Sequence, residues 1–243
     1  MAPLSRIAVI ACASAVAVAA GCAVQVRETD EYAETFAPAD AERVVFTGLD
    51  GDIVVRGMEI GDVEIRGTQS SIGATRRNAR KGLKYAALDA EYRAGDLELS
   101  YEPPFELEGL VDLELDRVST LPRGMGVTAR VESGDLEVSG LAGAIGLETA
   151  YGSIDIDDVG TGAVRASSED GDVLYSLGLV GFYIKCSADG GDVEIDDALL
   201  EAGAVQHTDA DGAIVLTYGD TLKRVDLTAT RGGIVVSLND SAP

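Results

Sequence analysis

The residues of this chain that carry chemistry are mostly carboxylates, and many stand directly after a glycine. Asp52, Asp62, Asp96, Asp135, Asp172 and Asp192 all follow such a glycine. Stacked in successive strands about 4.8 Å apart, these carboxylates repel one another. Either backbone N–H groups at the turns donate to them or calcium bridges them. The calcium β-roll motif Gly-Gly-x-Gly-x-Asp is absent, which favours turn bonding and no metal. Further carboxylates gather at Asp155, Asp157 and Asp158 and at Glu194, Asp196 and Asp197. A glycosidase needs an acid–base pair several ångströms apart in a cleft. His207 is the only histidine, and with Cys186 it supplies at most two metal ligands, too few for a zinc site. A core histidine beside a core cysteine is the favoured reading. No nucleophile elbow, P-loop or HExxH motif is present. The expectation is no catalytic residue and no cofactor.

One basic cluster interrupts the acidic chain: Arg76, Arg77, Arg80, Lys81 and Lys84. With Ala74, Ala79 and Leu83 it predicts a short helix near 75–84. Such a run is usually a solvated helix face; contact with an anionic partner is the alternative.

Short strands position these groups. Gly134, Gly152, Gly171, Gly191, Gly212 and Gly232 recur every 18 to 21 residues inside the phrase apolar-x-apolar-x-x-x-x-Gly-x-apolar-x-apolar. Seven residues before them stand Val127, Ile145, Val164, Ile184, Val205 and Val225, all β-branched and suited to strands. Alternation at period two puts the apolar positions on one face. Each repeat is thus two short strands with a turn glycine between them. A period near twenty marks stacked coils that share a core no single coil can build. The phrase recurs less regularly upstream, at Val44, Phe46, Gly51, Ile53 and Val55, and at Leu88, Ala90, Gly95, Leu97 and Leu99. Residues 41–126 therefore predict an irregular β region that caps the stack, and 127–240 the regular repeats.

Residues 1–21 predict a lipoprotein export signal. Arg6 is followed by an uncharged stretch of small and apolar residues, Ile7 to Ala20, ending in Ala19-Ala20-Gly21-Cys22. This resembles a lipobox whose cysteine, Cys22, is lipidated and becomes the mature N-terminus; cleavage at Ala17-Val18-Ala19 is the alternative. Residues 22–40 are polar and acidic, and predict a tether. With Cys12 in the signal and Cys22 lipidated, Cys186 is alone, so stability rests on core and strand ladder without disulfides.

The net charge is −23, and loss of residues 1–21 removes one Arg and no acid, leaving −24. Nucleic-acid binding needs a basic footprint and is excluded as a function class. The same charge argues against docking on anionic lipid. It discourages strand-edge aggregation, and it also fits a high-salt habitat.

The run Leu121-Pro-Arg-Gly-Met-Gly-Val, with Ser133-Gly-Asp-Leu-Glu-Val, Tyr151-Gly-Ser-Ile-Asp-Ile and Gly191-Asp-Val-Glu-Ile, resembles the bacterial "putative adhesin" family of Gly-Asp-Val/Ile repeat proteins over residues 40 to 238. The resemblance implies a β-solenoid-like fold and an envelope location, and brings no catalytic residues. The expected fold is all-β, a parallel solenoid of about 20-residue coils. The expected function is non-catalytic: an envelope lipoprotein, on the outer membrane or cell surface, presenting a stiff acidic surface to a protein or polysaccharide for adhesion, matrix contact or scaffolding. A regulatory or sensory envelope protein, and then a carbohydrate-active β-helix enzyme, are the alternatives.

Mass spectrometry of the mature N-terminus checks the anchor. An acylated Cys22 is expected, with Cys22→Ser releasing soluble protein, because each buried acyl CH₂ contributes about 0.8 kcal/mol. An unmodified terminus at Ala20 would overturn it.

Overall fold

The structure is a computed structural model that describes residues 25–47, 50–85, 88–100, 110–158, 160–220 and 223–239. The signal and Cys22 lie outside the described residues. The N-terminal elements are β1 (Val26–Phe36), β2 (Arg43–Thr47), β3 (Ile53–Met58), β4 (Val63–Gly73), α1 (Arg76–Tyr85), β5 (Asp89–Arg93), β6 (Asp96–Ser100) and β7 (Leu110–Pro122). The middle of the chain holds β8 (Gly126–Ser133), β9 (Leu136–Ser139), β10 (Ile145–Tyr151), β11 (Ile154–Asp158), β12 (Val164–Asp170), β13 (Val173–Leu177), β14 (Phe182–Ala188) and β15 (Val193–Ile195). The last elements are α2 (Asp197–Glu201), β16 (Val205–Thr208), β17 (Ile214–Tyr218), β18 (Lys223–Ala229) and β19 (Ile234–Leu238).

The chain is all-β, in two mixed sheets. Sheet A runs β1-β4-β7-β3-β9-β11-β13-β19-β15, and sheet B runs β16-β17-β14-β18-β12-β10-β8-β2-β6-β5. Their apolar inner faces form one core. Alternate residues point inward as the period-two pattern requires. Val44, Val127, Ile145, Val164, Val225 and Ile184 are paired strand to strand in register, and none exceeds 3% exposure.

Parallel pairing joins five consecutive strand–turn–strand units: β2/β3, β8/β9, β10/β11, β12/β13 and β18/β19, with β14/β15 sixth. The spatial order differs from the chain order. The last unit, β18/β19, is inserted between β12/β13 and β14/β15.

The reason lies in residues 196–218. Asp196 caps α2 by accepting from the Ala198 amide at 2.9 Å. The chain then turns into β16, which pairs antiparallel with β17, and β17 pairs antiparallel with β14. This hairpin ends sheet B and leaves the edge beside β12 to the final unit. The expected place of Val205 in the inward column is therefore corrected: it is 61% exposed. Ile214 and Leu216 pair with Cys186 and Ile184 in sheet B, not with the second-strand columns. Gly212 (φ 85°) turns this hairpin and stacks on no other glycine.

The N-terminal region departs from expectation in two ways. The expected tether is largely strand: β1 pairs with β4 from Val26–Gly73 to Phe36–Val63. The phrase at Leu88–Leu99 forms an antiparallel hairpin, β5–β6. Antiparallel β1, β4 and β7 close one end of sheet A, and the acidic edge strand β1 carries Asp30, Glu31 and Glu34, which discourage edge pairing. The predicted basic helix is α1, seated on β4 and β1 with Ala79 buried.

Two variants separate buried column from exposed hairpin. Ile145→Ala should cost about 2–5 kcal/mol through the cavity it leaves. Val205→Ala should change stability by no more than about 0.5 kcal/mol. Urea titration measures both, and equal losses would contradict this core.

Candidate interaction face and its turn ladder

The turn between the two sheets is built from glycine on glycine. Gly51, Gly134, Gly152, Gly171, Gly232 and Gly191 stack in that order, and a Cβ on any of the last five would come closer than 3.0 Å to the backbone of the glycine beneath it. Gly152 and Gly171 also hold φ at 152° and 155°, a region L side chains rarely adopt. Of the six glycines singled out by the sequence, five share this stack; Gly212 does not.

The aspartates beside these glycines form a ladder with backbone amides. Asp116 Oδ1 accepts from the Asp52 amide at 3.2 Å, and Asp52 Oδ1 from the Asp135 amide at 2.9 Å. Asp135 Oδ1 accepts from the Ser153 amide at 2.7 Å, and Asp172 Oδ1 from the Gly233 amide at 2.8 Å. Where serine replaces aspartate, Ser153 Oγ accepts from the Asp172 amide at 3.4 Å. Each step pairs a carboxylate or hydroxyl with the next unit's N–H, and so offsets the like-charge repulsion. Buried hydroxyls add to it: Thr149 Oγ1 donates to the Gly134 carbonyl at 3.2 Å and Ser168 Oγ to the Gly152 carbonyl at 2.8 Å.

The two outer faces differ in charge. On sheet B the charges are paired: Arg130 with Glu148 at 2.7 Å, Arg43 with Asp96 at 2.6 Å, Arg93 with Glu91 at 2.7 Å and Lys185 with Asp209 at 2.8 Å. The Asp209 carboxyl is held below the usual range by Lys185 and, more weakly, by the Ala213 and Asp211 amides. On sheet A, β9, β11, β13, β19 and β15 contain no Lys or Arg. Their register sets Val54, Glu137, Asp155, Leu174, Val235 and Glu194 in one outward row. Beside it runs a row of Arg56, Ser139, Asp157, Ser176 and Ser237, with the two serine hydroxyls at the end 2.9 Å apart. The result is a face of carboxylates, hydroxyls and apolar side chains, with one cation, Arg56, at its β3 margin.

Asp155 lies at the middle of this face. Partial burial, then Glu137 and Asp157, push its carboxyl above the usual range. Asp157 accepts from Asn239 Nδ2. The Asp158 side chain lies outside the described residues. In the second acidic group, Asp196 is used within the fold as the cap of α2 and also accepts from the Leu238 amide at 3.3 Å.

The other sequence candidates separate. Cys186 is in the core, and burial pushes its thiol up to about 12, which makes it a poor nucleophile. The expected core histidine is corrected: His207 is exposed on edge strand β16, opposite Val215. Of the basic cluster, Arg76 and Arg80 reach the buried Glu28 carboxylate at 2.5 and 3.5 Å. Arg77, Lys81 and Lys84 are exposed at helical spacing i, i+4 and i+7, on one stripe of α1.

The sequence reading missed two buried cations. Lys223 donates to the Gly160 carbonyl at 2.7 Å and stands 5.7 Å from the Tyr175 ring centroid; burial lowers its ammonium to about 8. Arg117 lies in the core, 2% exposed, and burial lowers its guanidinium to about 10. Both stand at inward positions of alternating strands, Arg117 between Leu115 and Ser119 and Lys223 two residues before Val225. Among the described residues, no three His, Cys, Asp or Glu side chains group as metal ligands, and no helix is long and apolar enough to cross a membrane.

The raised Asp155 carboxyl has a definite pH sign. Its folded state holds the proton more tightly, so its contribution to stability is full below about pH 3.9 and is lost as pH rises through the raised value. Asp155→Asn should therefore raise Tm at pH 7, and the gain should vanish as pH falls below the aspartate range. Thermal melts from pH 3 to 7 check this; a gain independent of pH would contradict it.

One solved structure shares this architecture. A crystal structure of a "putative cell adhesion protein" from Clostridium sporogenes superimposes with a TM-score of 0.62 at 16% identity, covering 87% of this chain and all of that one. A "putative adhesin" from Bacteroides fragilis gives a TM-score of 0.30 at 10% identity, over 86% of this chain and 97% of that one. No curated protein matches the chain. The Toastrack DUF4097 family matches residues 118–243, which span β8 to β19 and the C-terminal end of β7 from Val118 to Pro122, and the chain belongs to that family.

Proposed function

We propose that this protein is an adhesin-like, non-catalytic binding protein of the cell envelope, anchored by lipid at Cys22, that engages a cationic protein or polysaccharide through the outer face of sheet A. The observation that carries the reading is the in-register face of Glu137, Asp155, Asp157 and Glu194 among Leu174 and Val235, on five strands without a basic residue, with Val54 and Arg56 of β3 at its margin. Opposite charge steers a partner to such a face, and the apolar residues supply burial once it is there. The name of the Clostridium sporogenes protein, which shares the fold, is consistent with it.

The anchor reading gains a geometry. β1 begins at Val26, so residues 23–25 separate a lipidated Cys22 from the sheet, a reach of about 10 Å. Val26 is opposite Gly73, just before α1. The domain then stands close to the leaflet with the Arg77, Lys81 and Lys84 stripe on the same end.

Binding to an immobilised lysine-rich peptide tests the face. The triple variant Glu137→Gln, Asp155→Asn, Asp157→Asn should lose about tenfold or more in affinity, or 1.4 kcal/mol. Glu91→Gln, Glu98→Gln, Glu148→Gln removes the same charge from sheet B and should lose much less. Equal losses would mean that net charge alone is read, and the proposal fails.

A further inference from the structure

The three antiparallel strands at the end of sheet A reach beyond the glycine turns. The Leu115 amide donates to the Asp50 carbonyl at 2.8 Å, where β7 passes the turn before β3. From Leu115 back to Leu110, β7 runs on beside β4, and β4 beside β1. The arm so formed projects about 17 Å past the crossing. Val26, Gly73 and Leu110, paired across the three strands, form its tip.

Helix α1 is built onto that tip. A Cβ on Gly73 would stand 2.6 Å from the Ala79 amide nitrogen, so the helix rests directly on the end of β4. Arg76 and Arg80 turn down onto the buried Glu28 carboxylate. At about 100° per residue, Arg77, Lys81 and Lys84 lie about 140° to 200° round the helix from the buried Ala79. They are exposed on the side away from the sheet, and none makes an ion pair among the described residues.

The chain as a whole is −23, which opposes contact with an anionic surface, but the charge is not spread evenly. No carboxylate stands between Glu64 and Asp89. On β7, Asp112 and Glu114 alternate to the face of the arm opposite α1, and Arg27 holds Glu114 at 3.2 Å. The acidic row of sheet A begins at Glu137, which reaches Val118 through Val54. Val118 is about 27 Å along β7 from Leu110, against a screening length of about 8 Å at physiological ionic strength. The outward side of α1 therefore presents a local positive field.

We propose that Arg77, Lys81 and Lys84 form a docking surface for anionic phospholipid headgroups. The inference rests on the lipid anchor at Cys22 proposed above. Only residues 23–25 separate that anchor from Val26, so it delivers this tip of the arm, with α1 on it, to the leaflet. A lipid chain and a basic patch together hold a protein more firmly than either alone. Docking α1 also fixes the orientation of the domain and leaves the acidic row of sheet A clear of the headgroups for its partner.

The four lysines of the chain, Lys81, Lys84, Lys185 and Lys223, supply the test. Lys223 is buried, and Lys185 is held by Asp209 on β14, toward the opposite end of the stack. The chain from Cys22 onward contains every described element, and Cys186 is buried, so a maleimide lipid attaches it to vesicles through Cys22. A neutral amine-reactive reagent is then applied on phosphatidylcholine vesicles and on vesicles with 30% phosphatidylglycerol, and labelling is read by mass spectrometry. Lys81 and Lys84 should label about fivefold more slowly on the anionic vesicles, with Lys185 unchanged. In 1 M salt, where the screening length is about 3 Å, the difference should vanish. In the double variant Arg77→Gln, Lys81→Gln the remaining reporter, Lys84, should lose most of its protection. Equal labelling on the two vesicles, or Lys84 protection that survives the double variant, would overturn the docking. Because the tether is supplied chemically, these results stand apart from the anchor itself, which fails on an unacylated natural terminus.

Discussion

Backbone meets backbone where each strand–turn–strand unit crosses from one sheet to the other, and that close approach governs the rest of the molecule. From Gly134 onward, each stacked glycine leaves no room for a side chain above the one below. The approach brings each turn amide within reach of the carboxylate in the unit beneath, as at Asp52–Asp135 and Asp135–Ser153. Asp52, Asp135 and Asp172, which look like ion ligands in isolation, are instead consumed by the fold. Removing the glycine would separate the units; removing the aspartate would leave an amide without its charged acceptor. The Gly-Asp pair is thus one structural device, with glycine setting the distance and aspartate using it.

Because the turns are short and stacked, the outer faces are flat and their charges are ordered by register. Sheet B places Arg130 opposite Glu148 and Arg43 opposite Asp96, so its field is largely cancelled within the face. Sheet A places Glu137 opposite Asp155 with no cation between. Exposed ion pairs contribute little to stability, and the pairing matters more for what each face presents to a partner. Uncancelled negative charge on a flat, partly apolar face suits recognition of a cationic surface more than chemistry on a small molecule, which needs a concave pocket.

The interior is less uniform than an apolar stack requires. Lys223, Arg117, Thr149 and Ser168 are all buried. Two of these have clear structural roles, since Thr149 and Ser168 hold glycine carbonyls. Lys223 is anchored on the Gly160 carbonyl. Arg117 lies where parallel β3 meets antiparallel β4 through β7. There the repeat stops, and side chains replace the glycine stack as the means of joining strands.

The sequence by itself determined the building unit. Period-two alternation, β-branched residues and a glycine every 18 to 21 residues specify two short strands and a turn, because only those positions can be buried and only glycine fits the crossing. It also showed the basic helix, whose cations at i, i+4 and i+7 have no other regular use. What it left open was which unit lies beside which. Val205 and Ile214 carry the same local pattern as Ile184 and Val193, yet β16 and β17 form an antiparallel hairpin while β14 and β15 join the parallel stack. β1 reads as polar and acidic, and is strand only because β4 offers a partner along all eleven residues. Strand pairing is a contact between distant segments, and near-identical alternating strands satisfy one another almost interchangeably. Only the tertiary structure, through the Asp196-capped turn of α2 that sends the chain back on itself, decided that the last unit in sequence is the fifth in space.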